Sequence, residues 1–346
     1  MNNSRSRNSA TGSQPTRLDY NSALTALEVA VRAPSIHNTQ PWRWRLTCTG
    51  LDLLADRERQ LAIADPDGHS LLISCGAALY LTELALKSDG WSIETALLPD
   101  PTNSDVLAQI RPVEHLRPAA NLRDEVDAAL RRQSDRRPFS DICVTTDERE
   151  GLRSAASDPL AWVDYPDRAD RHVELAVAVS WADRALRRDE AYLAEMQRWM
   201  RDPDVHTLID GVPTDVIPHV PAGHPRHTDI PLRDFEVGVT GRQLIEQDVD
   251  EQQLIVVVFT PGDSARDHLN AGATMMKLMV QAELLGIASC PLSQSVDFAA
   301  FRSRLRGQMG WVGQPQMMLR IGHRDNPPDV ARRTPRRAPS AVLDTA

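Results

Sequence analysis

Ala33-Pro34-Ser35-Ile36-His37-Asn38-Thr39-Gln40-Pro41-Trp42 sets four hydrogen-bonding side chains, those of Ser35, Asn38, Thr39 and Gln40, in one short loop. Pro34 and Pro41 stiffen it, because each fixes its own φ. Trp42 and Trp44 follow on either side of Arg43, and one ring is expected in a core and the other toward a ligand or solvent. The segment suits two roles: the wall of a ligand site, or a well-capped turn delivering a core tryptophan. A histidine ordinarily titrates near neutrality, which makes His37 a candidate general base. A lone loop histidine is ordinarily a structural hydrogen-bonding group, so it is given no catalytic role.

Outward from this loop the chain reads as mixed α and β. Leu24, Leu27 and Val31 recur at helical spacing, and Pro34 closes that helix. Residues 42–47 and 51–55 form a strand pair around Thr49-Gly50, a Leu- and Ala-rich helix covers about 70–87, and 91–98 is extended. Residues 99–118 read as irregular. Helices follow over 122–132, about 146–156, 168–187 and 190–200, with a strand near Trp162. Residues 201–238 break the rhythm: they are proline-rich and hold His206, His219, His224 and His227. A stretch of that length without periodicity is a lid or a linker. Leu254-Ile255-Val256-Val257-Val258-Phe259 is apolar without alternation, as a sheet interior requires. A helix over 265–285, a strand at 287–290, a helix over 298–305 and a strand at 315–321 complete the pattern.

The chain also repeats itself. Gly76 and Gly90 bracket one long helix, and Gly272 and Gly286 bracket another of equal length; Leu79 falls opposite Met275, and Leu84 opposite Val280. Each helix precedes a short extended piece, which points to duplication of an α+β unit.

Composition narrows the functions. The 346 residues carry a net charge of −9, which argues against a nucleic-acid binder. No apolar run approaches the ~20 residues of a membrane span. The polar, basic N-terminus has no apolar segment behind it, so residues 1–17 read as a disordered tail and not a secretory signal. Cys48, Cys75, Cys143 and Cys290 lack metal spacing and read as free thiols, and no metal is expected. Few cysteines and no signal point to the cytoplasm. Neither a G-x-G-x-x-G nor a Walker loop is present, so any nucleotide-like ligand must be held another way.

One way is offered by Arg132-x-Ser134-x-Arg136. Arginine presents a planar fork of donors matching phosphate oxygens, and a serine between two arginines supplies a further hydroxyl. The same residues also suit a basic helix end, where cations meet the C-terminal dipole.

Together, Ala33-Pro34-Ser35-x-x-Asn38-x-Gln40-Pro41-Trp42 and Arg132-x-Ser134-x-Arg136-x-x-Phe139 resemble the two signatures of the nitroreductase family, the second with one residue extra before the phenylalanine. The likeness runs from about residue 20 to 340 and is strongest to the family's actinobacterial Acg-type members. It implies an α+β nitroreductase-like fold, internally duplicated so that one chain mimics the family homodimer. The halves would be 18–118 and 119–330, with a lid-like insertion at about 201–238 and a C-terminal arm at 331–346. Each half holds only one of the two signatures, and residues 154–162 are a degenerate counterpart of the first. One complete site, and so one FMN per chain, is therefore expected.

The resemblance also assigns roles. Arg132 should meet the FMN phosphate, Ser134 the ribityl chain, and Arg136 the pyrimidine edge. Ser35, Asn38, Gln40, Pro41, Trp42, Arg43 and Trp44 should line the opposite wall. Pro291, Leu292 and Ser293 match a segment whose amide approaches flavin N5, and Arg336 or Arg337 should complete the phosphate clamp. The implied activity is two-electron transfer from NAD(P)H through flavin N5 to a nitroaromatic or quinone-like small-molecule acceptor, with no catalytic side chain. The implied alternative is a flavin-storage protein whose lid, residues 212–231, shields the flavin. A fused pair satisfies its own dimer interface, so a monomer is expected.

Overall fold

The computed structural model describes residues 17–156, 158–166, 169–205, 207–219, 243–244, 251–324 and 333–345. Residues 1–16 of the N-terminal tail, residues 220–238 of the insertion, and His206, His224 and His227 lie outside these residues.

The first half opens with α1 (Tyr20–Ala30), whose N-cap Asp19 accepts from the Ser22 amide. The hairpin β1 (Trp42–Thr47) and β2 (Gly50–Ala55) follows. The turn needs Gly50: at φ +149° a side chain there would sit 2.0 Å from the Ile110 carbonyl oxygen. Next come α2 (His69–Ser88), β3 (Trp91–Leu97) and β4 (Val106–His115). Strand β4 corrects the irregular reading of 99–118. Its one proline hid it, but Pro112 lies beyond Ile110, the last residue paired with β2, so its missing N–H costs no ladder bond on that side.

The second half begins with α3 (Arg123–Arg131) and α4 (Thr146–Ala155), the latter capped by a Thr145/Glu148 box. Then come β5 (Trp162–Asp164), α5 (Ala169–Leu186) and α6 (Glu190–Arg198). Two short parallel pairs lie in and beside the insertion: β6 (Met200–Arg201) with β7 (Val212–Pro213), and β8 (Pro218–His219) with β9 (Gln243–Leu244). The half closes with β10 (Leu254–Thr260), α7 (Ala265–Leu284), β11 (Ala288–Pro291), α8 (Ala299–Met309), β12 (Gln314–Gly322) and β13 (Leu343–Thr345).

The larger sheet has the order β13-β1-β2-β4-β3, and the other β11-β12-β10-β5. Without β13 the two share one topology. β5, β10, β12 and β11 stand where β1, β2, β4 and β3 stand, all pairings are antiparallel, and α7 follows β10 as α2 follows β2. The C-terminal arm then crosses to the first sheet, where β13 adds parallel to β1.

Helices α2 and α7 cross at glycines. A Cβ on Gly76 would lie 2.1 Å from the Leu269 carbonyl oxygen, and one on Gly272 2.0 Å from that of Ile73. Ile73 precedes Gly76 by three residues, as Leu269 precedes Gly272, so the contacts interchange when the halves are swapped. Although α2 is apolar and long enough to cross a membrane, it is buried as a core helix. One apolar core runs from both sheets through this crossing, and a second packs α5 and α8 on the other face of β10. Covered on both faces, β10 needs apolar residues without alternation.

Candidate anion-binding cleft

The cleft lies where the two halves and the C-terminal arm meet. From the first half comes the loop after α1, where His37, Asn38 and Gln40 take φ of 45°, 55° and 52°. Left-handed backbone at non-glycine residues costs about 1–3 kcal/mol each and persists only when the surroundings enforce it. Here they do. Ser35 Oγ accepts from the Gln40 amide at 2.9 Å. Asn38 Nδ2 donates to the carbonyls of Gly211 and Pro335, and its Oδ1 accepts from Arg336. Gln40 Nε2 donates to the Ile209 carbonyl, and its Oε1 accepts from the Arg337 amide.

From the second half, α3 ends at Arg132, and Ser134 pairs with Ser289 of β11 while the Asp135 amide donates to the Ser289 carbonyl. Between these walls opens a cleft of about 400 Å³, counting the solvent at its mouth. Pro34, Ser35 and Asn38 line one side, and Gln133, Ser134 and Arg136 the other. Thr334 and Arg336 reach in from the arm, and Val216 from the insertion.

Positive charge is concentrated here. Arg132 is 5% exposed; its Nη2 donates to the Arg32 carbonyl at 2.6 Å, while Nε and Nη1 have no partner among the described residues. Burial, then Arg333 and Arg32, push its pKa down to about 10 against the attraction of Glu283. Arg336 Nε is likewise buried without a partner. Burial first, then the charges of Arg132, Arg32 and Arg136, push Arg336 down to about 9. Both remain protonated at neutral pH, so the cleft gathers guanidinium charge with buried donors to spare. Such an arrangement fits a phosphate, whose oxygens would take those donors.

No family model matches the chain. A Mycobacterium tuberculosis protein named "Putative NAD(P)H nitroreductase Rv3131" is 33% identical over 332 residues, covering 94% of this chain and 92% of the relative. The chain belongs to the nitroreductase family. A second M. tuberculosis relative, "Putative NAD(P)H nitroreductase acg", is 27% identical over 316 residues, covering 90% of this chain and 92% of its own. Among solved structures, a nitroreductase with bound FMN from Desulfitobacterium hafniense aligns at 14% identity and a TM-score of 0.36. That alignment covers 60% of this chain and 93% of the other, a likeness too loose to argue from.

Within this nitroreductase-family chain, the expected site residues divide. Ser35, Asn38, Ser134, Arg136 and Arg336 share the cleft, with Arg132 buried beside them. Gln40 is fully buried and spends its side chain on Ile209 and Arg337. The Pro41 carbonyl accepts from the Asp56 amide. Trp42 and Trp44 both sit in the main core, which corrects the expectation of one outward ring. Residues two apart in a strand share a face. Arg43 points outward to Asp344 at 2.7 Å. Arg337 is a structural tie to Asp56 and to the Gln40 and Trp42 carbonyls, so of the two arginines it is Arg336 that the arm places in the cleft.

Pro291, Leu292 and Ser293 do not line the cleft. The Leu292 amide donates to the Met318 carbonyl at 2.8 Å, and the Ser293 carbonyl accepts from Val296 and Asp297. Sequence reading missed Arg32, Gln133, Thr334 and Val216. Arg32 and Gln133 adjoin or fall inside the quoted motifs and were within reach, Val216 lies in the expected lid at 212–231 but had no role of its own there, and nothing local marks Thr334.

The described part of the insertion lies against the first-half loop. Besides the Asn38 and Gln40 contacts, Asp210 bridges Arg59 at 2.9 Å and Arg201 at 2.7 Å. Burial raises the Asp210 carboxyl's pKa, but hydrogen bonds and charge from Arg201 and Arg59 outweigh it and hold the group below its usual range. The clasp is therefore present above the ordinary carboxylate pKa and is lost as pH falls through the depressed value. Asp210→Asn should open it at neutral pH. About 1–2 kcal/mol of local stability is at stake, so the Gly211 and Val212 amides should exchange with deuterium roughly tenfold faster. Unchanged exchange there would show that the ion pairs do not hold the segment.

Away from the cleft, the donor atoms of His69, Asp263 and His268 lie within 4.8 Å of one another. His69 Nε2 bonds to Gln316, His268 Nε2 bonds to Asp263, and the cationic Arg302 stands 3.1 Å from the same carboxylate. Gln316 Nε2 also donates to Asp263, so these bonds tie α2 to the start of α7, while Nδ1 of His69 and of His268 are buried without a partner among the described residues.

Proposed function

We propose that the chain is an FMN-dependent NAD(P)H oxidoreductase whose cleft holds the FMN phosphate. One observation carries this reading: the buried Arg132 offers two guanidinium nitrogens without partners, beside Arg336, Arg32 and Arg136. Bound FMN would supply two-electron transfer between NAD(P)H and a nitroaromatic or quinone-like acceptor. Arg132 and Arg336 would take the phosphate, and Ser134 and Arg136, which line the same cleft, would offer it a hydroxyl and a further guanidinium. Ser35 and Asn38 would close the opposite side. The repeated strand order and the interchanging glycine contacts support descent from two fused family subunits. The two signatures occur once each, which supports one cofactor per chain and a monomer.

A second reading is flavin storage. It is favoured by the position of residues 209–217, clasped onto the first-half loop with Val216 at the cleft. Residues 220–231, the rest of the proposed shield, lie outside the described residues.

Anaerobic addition of NADPH to the purified protein separates the readings. A yellow protein bleached within seconds establishes the reductase, whereas bleaching by dithionite alone establishes a shielded flavin. A colourless protein that ignores added FMN removes both.

A further inference from the structure

Arg320 of β12 and Glu251, just before β10, form an ion pair that is almost wholly buried. The second arm of Arg320 donates to the main-chain carbonyls of Asp135 and Arg137. Its guanidinium lies 4.0 Å from the centre of the Phe139 ring, and the Phe139 amide donates to Glu251 Oε1 at 3.0 Å. One ion pair thus grips residues 135, 137 and 139, immediately beyond Ser134 and on both sides of Arg136. Neither member lines the cleft.

Stability alone does not account for such a pair. Desolvating two charges consumes most of their attraction, and apolar residues of similar volume hold a core at least as well. An apolar pair cannot satisfy the main-chain groups of an irregular segment. Residues 133–141 form no regular strand or helix, so the carbonyls of Asp135 and Arg137 and the Phe139 amide depend on these side chains. Asp135 completes the brace, its carboxylate taking Arg137 at 2.6 Å and Arg324 at 3.5 Å.

We propose that the Arg320–Glu251 pair is a positioning device that holds Ser134 and Arg136 where the cleft receives a phosphate. The inference rests on the reading of the cleft as an FMN phosphate site. A displaced donor is a lost contact, since anion recognition depends on geometry set by the supporting shell.

The test compares FMN with riboflavin, which lacks the phosphate, as quenchers of their own fluorescence on binding to the full chain. Glu251→Met/Arg320→Met should lose about tenfold or more of the FMN-to-riboflavin affinity ratio, beyond any fall in thermal midpoint from the main-chain groups left unpaired. An unchanged ratio, or equal weakening of both flavins with a lowered midpoint, would overturn the positioning role and leave the cleft assignment standing. If that variant does not fold, Glu251→Gln keeps the shape and removes the charge. It should show the same selective loss in smaller measure, and an unchanged ratio overturns the proposal. Wild-type protein that binds no FMN would defeat the cleft assignment and this inference with it.

Discussion

Arg132→Met should leave the purified protein largely without flavin while the flavin-free chain becomes no less stable. Each charge-assisted hydrogen bond to a phosphate contributes about 1.5–3 kcal/mol. Losing the Arg132 contacts should weaken FMN roughly 10- to 150-fold, and adding Arg336→Met should bring the loss to roughly 10²–10⁴-fold. The stability expectation has the opposite sign. Without an anion, Arg132 is a buried charge with two unused donors, repelled by Arg333 and Arg32. Methionine keeps much of the volume and removes a desolvated charge, a change that is commonly neutral or stabilising in a buried site. Absorbance near the flavin band reports loading, and urea denaturation of flavin-free protein reports stability. A doubly substituted protein that purifies fully yellow would show that the phosphate binds elsewhere. A flavin-free Arg132→Met protein clearly less stable than its parent would show that this arginine serves the fold.

The second large effect concerns the helix crossing. Gly76→Ala or Gly272→Ala should each destabilise the chain by about 1–3 kcal/mol or more, despite alanine's advantage of about 1 kcal/mol inside a helix. The added carbon would meet a backbone carbonyl at about 2 Å in each case, and backbone cannot rotate aside as a flexible side chain can. The two glycines serve one contact region, so the double variant should lose less than the sum of the single losses. Gly307→Ala is the control. It lies in α8 with nothing within 4 Å of the added carbon, and it should stabilise by about 0.5–1 kcal/mol. Denaturation midpoints that fall for the first two variants and rise for the third would support the close crossing. A rise at Gly76 would mean that the helices stand further apart.

The sequence by itself determined the elements whose cause is local. Helices α2 and α7 announce themselves by leucine and alanine periodicity closed by glycine, and β10 by six apolar residues in a row. It also determined which residue types a phosphate would need, because the two motifs are contiguous in the chain. Strand β4 was hidden because pairing between β2 and β3 outweighs its proline. Strand β13 was hidden because three residues gain a ladder only once the arm has crossed to β1.

The tertiary structure alone decided which motif residues face the cleft. Asn38 and Gln40 look equivalent in the sequence, yet Asn38 lines the cleft while Gln40 is buried between the insertion and the arm. Adjacent Arg336 and Arg337 separate in the same way, one among guanidinium groups and the other on Asp56. Residue type fixes what a side chain can bond to. Which partners come within about 3 Å depends on contacts between segments some 300 positions apart, and no local pattern encodes that distance.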